Sequence, residues 1–501
     1  MRGESSLTAT KVGALIAIVL ASGLVVGLDL ARQPADPPAR LSFSLGVLDE
    51  GLWSHNAVND ALFGRARLDG INPMFVTSAP DRLIRLSYAL FGVGILQTRL
   101  PSIVLGAAVV LMVGLLLARK DPLAGAVAAW LLATSFLFLS YSRLGLLETP
   151  AATFLMAGLV LLILAIESSR PWIGTLGGAL LAVGVTSKPQ AGGALVGLLA
   201  GLVAYGVLRR GKTWRVLAAC MGGLLVVGAA WVAFVVANLD PAVRTEWRQH
   251  ALGISLSPRS WVTNAWHFLS NSDGFGTNAR PLLIAAALGL LLQIAAWIRK
   301  HPLADPLQPA GVGWAVGAVG TLAVISYSPS RYAVLSLPGL ALVAGGGVTA
   351  ARALLPKNPS KLLPTLVLAG SAAAVAAGLI PWARWAADPA WSTRDLARLL
   401  TKVTSPTDVI EGGAALVPAT DAHRRVFVMF PATHIDDVCP LERYHVSFVI
   451  LGDGDRVGRR YFLRFYPGLI APKNLVADTI LIGRPQKLYR VPPAVLSPRC
   501  S

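Results

Sequence analysis

Residues 100–118 read LPSIVLGAAVVLMVGLLLA, residues 119–121 read RKD, and residues 122–140 read PLAGAVAAWLLATSFLFLS. Two apolar stretches without a charge flank a short charged turn. A hydrocarbon core about 30 Å thick needs about 20 apolar residues per helix, so this pattern predicts a hairpin of two membrane-spanning helices. The pattern recurs along the first three quarters of the chain. Eleven spans are expected, at 11–28, 100–118, 122–140, 150–166, 172–187, 191–208, 216–237, 281–298, 311–327, 332–350 and 362–381. The stretch 83–97 is apolar but interrupted by Arg85 and Gly92, with Arg82 just before it, and is expected to lie at the interface.

Composition agrees. The chain has 501 residues, 54% of them apolar and 14% charged. A soluble protein carries about 25% charged residues. The expected fold class is therefore an all-α polytopic membrane protein. The net charge of +18 does not indicate nucleic acid, because many of the basic residues stand in short clusters between apolar runs. Such clusters set membrane orientation. With the N-terminus inside, Arg119, Lys120, Arg170, Arg209, Arg210, Lys212, Arg215, Arg299, Lys300, Arg352, Lys357 and Lys361 all face the cytoplasm. Short turns on the other face, 141–149, 188–190 and 328–331, carry one basic residue each. The larger outer loops are 29–99 and 238–280. Of the 44 basic residues 34 are Arg, which with abundant Ala and Gly suggests a GC-rich coding sequence and a bacterial plasma membrane.

The tail from about 383 changes character. Its apolar residues come in strand-length bursts at 425–430, 446–451, 475–482 and 488–491. Leu396, Leu399, Leu400 and Val403 follow helical spacing. A small extracytoplasmic α/β domain over 383–501 is expected. Gly452-Asp453-Gly454 reads as a turn with no helix after it. His434, Asp436, Asp437 and Cys439 read as a surface loop rather than a metal site. Cys439 and Cys500 share the outer face and can pair there. Cys220 falls within a span.

Ionisable residues at the ends of membrane helices are costly and mark functional sites. Four places qualify, all on the outer face: Asp49-Glu50 followed by His55, Asn56, Asn59 and Asp60; Arg143 with Glu148; Lys188; and Arg331-Tyr332. Transfer of a sugar off a phosphate uses that combination. A carboxylate deprotonates the attacking hydroxyl. Fixed cations neutralise charge growing on the leaving phosphate.

The order of these pieces resembles the GT-C integral-membrane glycosyltransferases, in the branch of protein O-mannosyltransferases and lipid A aminoarabinose transferases. The resemblance rests on Leu48-Asp49-Glu50-Gly51 with Asn56-Ala57, Leu90-Phe91-Gly92-Val93, Thr98-Arg99-Leu100-Pro101, Tyr141-Ser142-Arg143, Glu148-Thr149-Pro150, Gly184-Val185-Thr186-Ser187-Lys188, and Ser330-Arg331-Tyr332 with Pro338. It implies a polyprenyl-phosphate-linked sugar as donor, an extracytoplasmic lipid, glycan or protein acceptor, and inversion at the anomeric carbon. It implies Asp49 as base, with Glu50 and Glu148 beside it in catalysis. Lys188, Arg331 and Tyr332 are expected at the donor phosphate, and His55, Asn56, His250 and His267 in substrate loops. A divalent cation, Mg or Mn, fits some members of the superfamily and not others. Three features depart from the pattern: Glu148 where Asp is common, Pro189 after Lys188, and Thr77-Ser78-Ala79-Pro80 without a basic residue before the proline. These bear on the sugar more than on the reaction class.

The aromatic loop 238–280, with Trp247, Trp261, Trp266 and Phe268, suits an interfacial belt or a lid. Two other function classes remain: a flippase of lipid-linked sugars, and a non-catalytic scaffold. A flippase favours charges at mid-membrane and repeated halves. Here the charges gather at one face and no internal repeat is seen.

Overall fold

A computed structural model describes residues 2–38, 49–66, 76–209, 213–239, 241, 244, 258–270, 278–299, 305–325, 329–354, 362–428, 439–452 and 456–496. It is mostly helical, with a small sheet near the C-terminus. Among the described residues, eight helices are long and apolar enough to cross a membrane. They are α1 (Arg2–Leu30, crossing from Thr10), α4 (Ile95–Ala118), α7 (Glu148–Ser168), α9 (Gly192–Arg209), α10 (Thr213–Asn238), α12 (Arg280–Ile298), α13 (Leu307–Val324), and a run from Ser330 through α14 (Leu337–Leu354). The expected span at 122–140 is instead a bent pair, α5 (Pro122–Ala133) and α6 (Phe136–Ser142), which meet at 64°. Asp121 caps the start of α5, accepting from the backbone N–H groups of Leu123 and Ala124. The expected span at 172–187 is α8 (Pro171–Ser187), shorter than the others, and α15 (Leu362–Ala387) occupies the eleventh.

The helices within the larger loops 29–99 and 238–280 are α2 (Asp49–Phe63), α3 (Ser78–Phe91) and α11 (Pro258–Ser270). The interfacial stretch read over 83–97 ends earlier, at Phe91. The chain turns through Gly92-Val93-Gly94, and residues 95–97 already belong to α4.

Close helix contacts rely on small residues, as expected where lipid supplies no hydrophobic drive between helices. Along α9, Gly193, Gly197 and Gly201 repeat every four residues and face Pro309, Gly313 and Gly317 of α13. A Cβ at Gly197 would stand 2.0 Å from the Gly313 carbonyl oxygen, so no larger residue fits this seam.

The C-terminal unit begins beyond α15, with α16 (Ser392–Val403), and holds a five-stranded sheet. The strands are β1 (Val409–Glu411), β2 (Arg425–Phe427), β3 (Val446–Gly452), β4 (Leu475–Leu481) and β5 (Arg484–Arg490), in the order β2-β1-β3-β5-β4. β1 pairs in parallel with β2 and β3, while β5 runs antiparallel to β3 and β4. The short α17 (Leu416–Ala422) joins β1 to β2 and is followed in turn by α18 (Pro440–Arg443) and α19 (Arg456–Phe465). The expectation that no helix follows Gly452-Asp453-Gly454 is corrected by α19, while residues 453–455 lie outside the described residues. Tyr461 and Phe462 of α19 bury against β3, while Arg459, Arg460 and Arg464 stay exposed, so a short and strongly basic segment is amphipathic. Residues 434–437 lie outside the described residues. Cys439 is in a disulfide, Cys500 lies outside the described residues, and Cys220 is free and buried in α10.

This unit is bonded to the membrane part near α2 and the start of α4. Asp36 accepts from Ser392 N–H at 2.6 Å, Ser392 Oγ–H at 2.7 Å and Thr393 N–H at 3.0 Å, capping α16 from the far end of the sequence. Asp421 accepts the N–H of Ile95 at 2.7 Å, at the start of α4. Leu416 lies against Gly51 of α2, where an added Cβ would come within 2.3 Å of the Leu416 Cβ. Gly51→Ala is accordingly expected to lower stability by about 1–3 kcal/mol through overpacking. Leu416→Gly in the same chain removes the clashing Cβ, so the double variant should lose less than the sum of the two single losses. Unfolding midpoints of the two single variants and the double variant check it; additive losses would contradict the contact.

Candidate active site

Four segments remote in sequence bring charge to one place. Asp49 opens α2, and Glu148 opens α7. A helix N-terminus suits a carboxylate because its free N–H groups carry partial positive charge. Lys188 is the extended residue between α8 and a short 3-10 turn at Pro189–Ala191. Arg331 and Tyr332 lie on the 3-10 helix Ser330–Ser336, which runs into the buried α14.

Glu148 is the hub. Its Oε1 accepts from Lys188 Nζ at 3.1 Å and from Arg331 Nε at 3.0 Å. Arg331 Nη1 pairs with Asp49 Oδ2, so one guanidinium bridges both carboxylates. The Lys188 ammonium stands 4.8 Å from the Tyr332 ring centre and 4.9 Å from that of Trp53. Such placement holds an ammonium by cation–π attraction. The side chains of Glu148, Lys188 and Arg331 are 0%, 3% and 4% exposed, against 17% for Asp49, so Asp49 is the member of the four most open to the outside. Burial lifts the Asp49 carboxyl above the usual carboxylate range, with Arg331 and Lys188 pulling the other way. Glu148 Oε2 is buried with no hydrogen-bond partner among the described residues.

Glu50 does not join this cluster. Arg99 Nε and Nη2 each donate to one Glu50 oxygen at 2.8 Å, and Gly145 N–H donates to Oε1 at 2.7 Å. Arg99 Nη1 continues to Gln33 Oε1 at 2.9 Å and to the Ala35 carbonyl at 3.1 Å. Consecutive acids on α2 thus face different partners. Asp49 points to the cationic pair, and Glu50 ties α2 to α4.

His55 and Asn56 are buried on α2, where the His55 Nε2 stands 3.2 Å from Asn59 Nδ2 and Arg85 donates to the Asn56 carbonyl at 3.4 Å. Arg143 does not pair with Glu148. It donates to the Arg32 carbonyl at 2.6 Å and lies 4.2 Å from the Trp385 ring centre. His250 lies outside the described residues. His267 falls within α11, but its side chain is outside those described. Trp53 escaped the sequence reading, although its position one helical turn after Asp49 was the available signal. Among the described residues, no group of three or more His, Cys, Asp or Glu side chains is arranged to hold a metal ion.

Comparison with known proteins places this arrangement in a fold. A family profile described as dolichyl-phosphate-mannose-protein mannosyltransferase matches residues 79–237, which include Glu148 and Lys188. Among curated proteins no sequence matches. ArnT from Cupriavidus metallidurans, solved bound to undecaprenyl phosphate, is 16% identical over 99% of both chains, with a TM-score of 0.59. Its apo form is 14% identical over 99% of this chain and 100% of that one, with a TM-score of 0.60. The Archaeoglobus fulgidus oligosaccharyltransferase, solved with a tethered acceptor peptide, is 14% identical over 88% of this chain and 69% of that one, with a TM-score of 0.56. The resemblance read from the sequence holds, and the chain has the GT-C fold of the ArnT type.

Proposed function

We propose that the chain is a plasma-membrane glycosyltransferase that moves a hexosyl or pentosyl group from a polyprenyl phosphate to a hydroxyl on an extracytoplasmic acceptor. The observation that carries this reading is the convergence of Asp49 and Glu148 with Lys188 and Arg331 from four distant segments. Support comes from the GT-C fold and from ArnT, the similar structure solved with a lipid phosphate. The same reading puts the N-terminus in the cytoplasm and the C-terminal unit outside, beside α2.

In the proposed step, Asp49 takes the proton from the acceptor hydroxyl. The acceptor oxygen forms a bond to the anomeric carbon as the bond from that carbon to the phosphate oxygen breaks. The electron pair leaves with the polyprenyl phosphate, and Lys188 and Arg331 stabilise its charge. Attack from the face opposite the leaving group inverts the anomeric carbon. Glu148 orients both cations. Glu50 acts through position, holding α2 by its pairing with Arg99.

The test is binding and turnover of a polyprenyl-phosphate sugar by the purified protein in lipid. Lys188→Met keeps an apolar stem and removes the ammonium. A charge-assisted hydrogen bond contributes about 1.5–3 kcal/mol, so affinity for polyprenyl phosphate should fall on the order of tenfold or more. Equal affinity in a folded Lys188→Met protein would remove Lys188 from the donor site. No release of polyprenyl phosphate by the wild type with any sugar would count against the transferase reading.

A further inference from the structure

The four charged groups of the site sum to zero, two cations against two carboxylates. An incoming phosphate therefore meets no uncompensated positive charge. It also meets Asp49 first, because that side chain is the most exposed of the four and carries the phosphate's own sign. Glu148 is fully buried and shared by Lys188 and Arg331, so it is poorly placed to yield. Asp49 is the first residue of α2, joined to Arg331 through Nη1, and can turn away without moving the buried core.

We propose that the donor phosphate displaces Asp49 from Arg331, and that this exchange of partners frees the base. The inference rests on the transferase reading given above and adds an order of events to it. Before the donor binds, the Asp49 carboxylate is neutralised by the guanidinium and is a weak acceptor for a hydroxyl proton. The planar guanidinium then turns its Nη1 to a phosphate oxygen, a geometry it suits, while Nε stays on Glu148. Asp49 is left as a carboxylate beside the bound donor, ready for the acceptor hydroxyl. No covalent bond changes in this exchange. The base is thus masked while no donor is present, and proton removal is tied to donor occupancy.

Competition for one cation is reciprocal, and couplings of this kind typically change affinity by about 5- to 150-fold. Removing the Asp49 charge must then tighten phosphate binding, although the same change lowers turnover. The experiment measures the dissociation constant of undecaprenyl phosphate for wild type and Asp49→Asn, with unfolding midpoints to show that both are folded. Asp49→Ser repeats the comparison with a smaller side chain. The expected result is binding about fivefold tighter or more in both variants. Equal or weaker binding in folded variants would overturn the exchange while leaving the transferase reading intact. A wild type that binds no lipid phosphate would instead overturn the reading on which the exchange rests.

Discussion

Arg99→Met is expected to destabilise the protein by about 3–5 kcal/mol, the cost of leaving one partner of a buried ion pair without the other. Glu50 and Arg99 are each 1% exposed and are joined by two hydrogen bonds of 2.8 Å. Without the guanidinium, Glu50 retains the Gly145 N–H but loses its countercharge. Gln33 Oε1 and the Ala35 carbonyl lose a donor at the same time. The damage reaches the proposed active site because Glu50 is next to Asp49, so turnover should fall along with stability. The double variant Glu50→Leu with Arg99→Met removes both charges and should recover much of the lost stability, since apolar replacements of a buried pair are often neutral or better. Unfolding midpoints in lipid or detergent decide this. An Arg99→Met protein as stable as wild type would show that the pair does not hold α2 in place.

The membrane helices were legible because their signal is local. A run of apolar residues long enough to cross a bilayer admits few other structures. The carboxylates and cations of the site were legible for a related reason, since charge at the end of a membrane helix stands out against its surroundings. Pairings were not legible. Glu50 with Arg99, and Arg331 shared between Asp49 and Glu148, join residues from distant segments, and composition does not encode which side chain turns toward which. The break between α5 and α6 at Thr134-Ser135 was hidden inside a long run without a charge. β1 is three residues long and α19 is a ten-residue basic segment, so neither offers enough periodicity to be read. The Asp36 cap on α16 depends on a contact spanning most of the chain.

Asp49 carries the largest expected catalytic effect. It opens α2, touches the guanidinium that also holds Glu148, and is the carboxylate of the pair most open to an acceptor. Asp49→Asn keeps the shape and removes the basicity. General-base catalysis is typically worth about 10²–10⁴-fold, so turnover should fall by that order while the donor still binds. Wild-type turnover should decline as pH falls through the Asp49 pKa, which burial places above the ordinary carboxylate range. The variant should lack that acidic limb. The most direct test of the proposed mechanism is therefore single-turnover release of polyprenyl phosphate, with a sugar-loaded donor and an extracytoplasmic acceptor, by wild type, Asp49→Asn and Glu148→Gln. The mechanism predicts a loss of about 10²–10⁴-fold in Asp49→Asn together with loss of the acidic limb. Turnover intact in Asp49→Asn but abolished in Glu148→Gln would contradict it and make Glu148 the base.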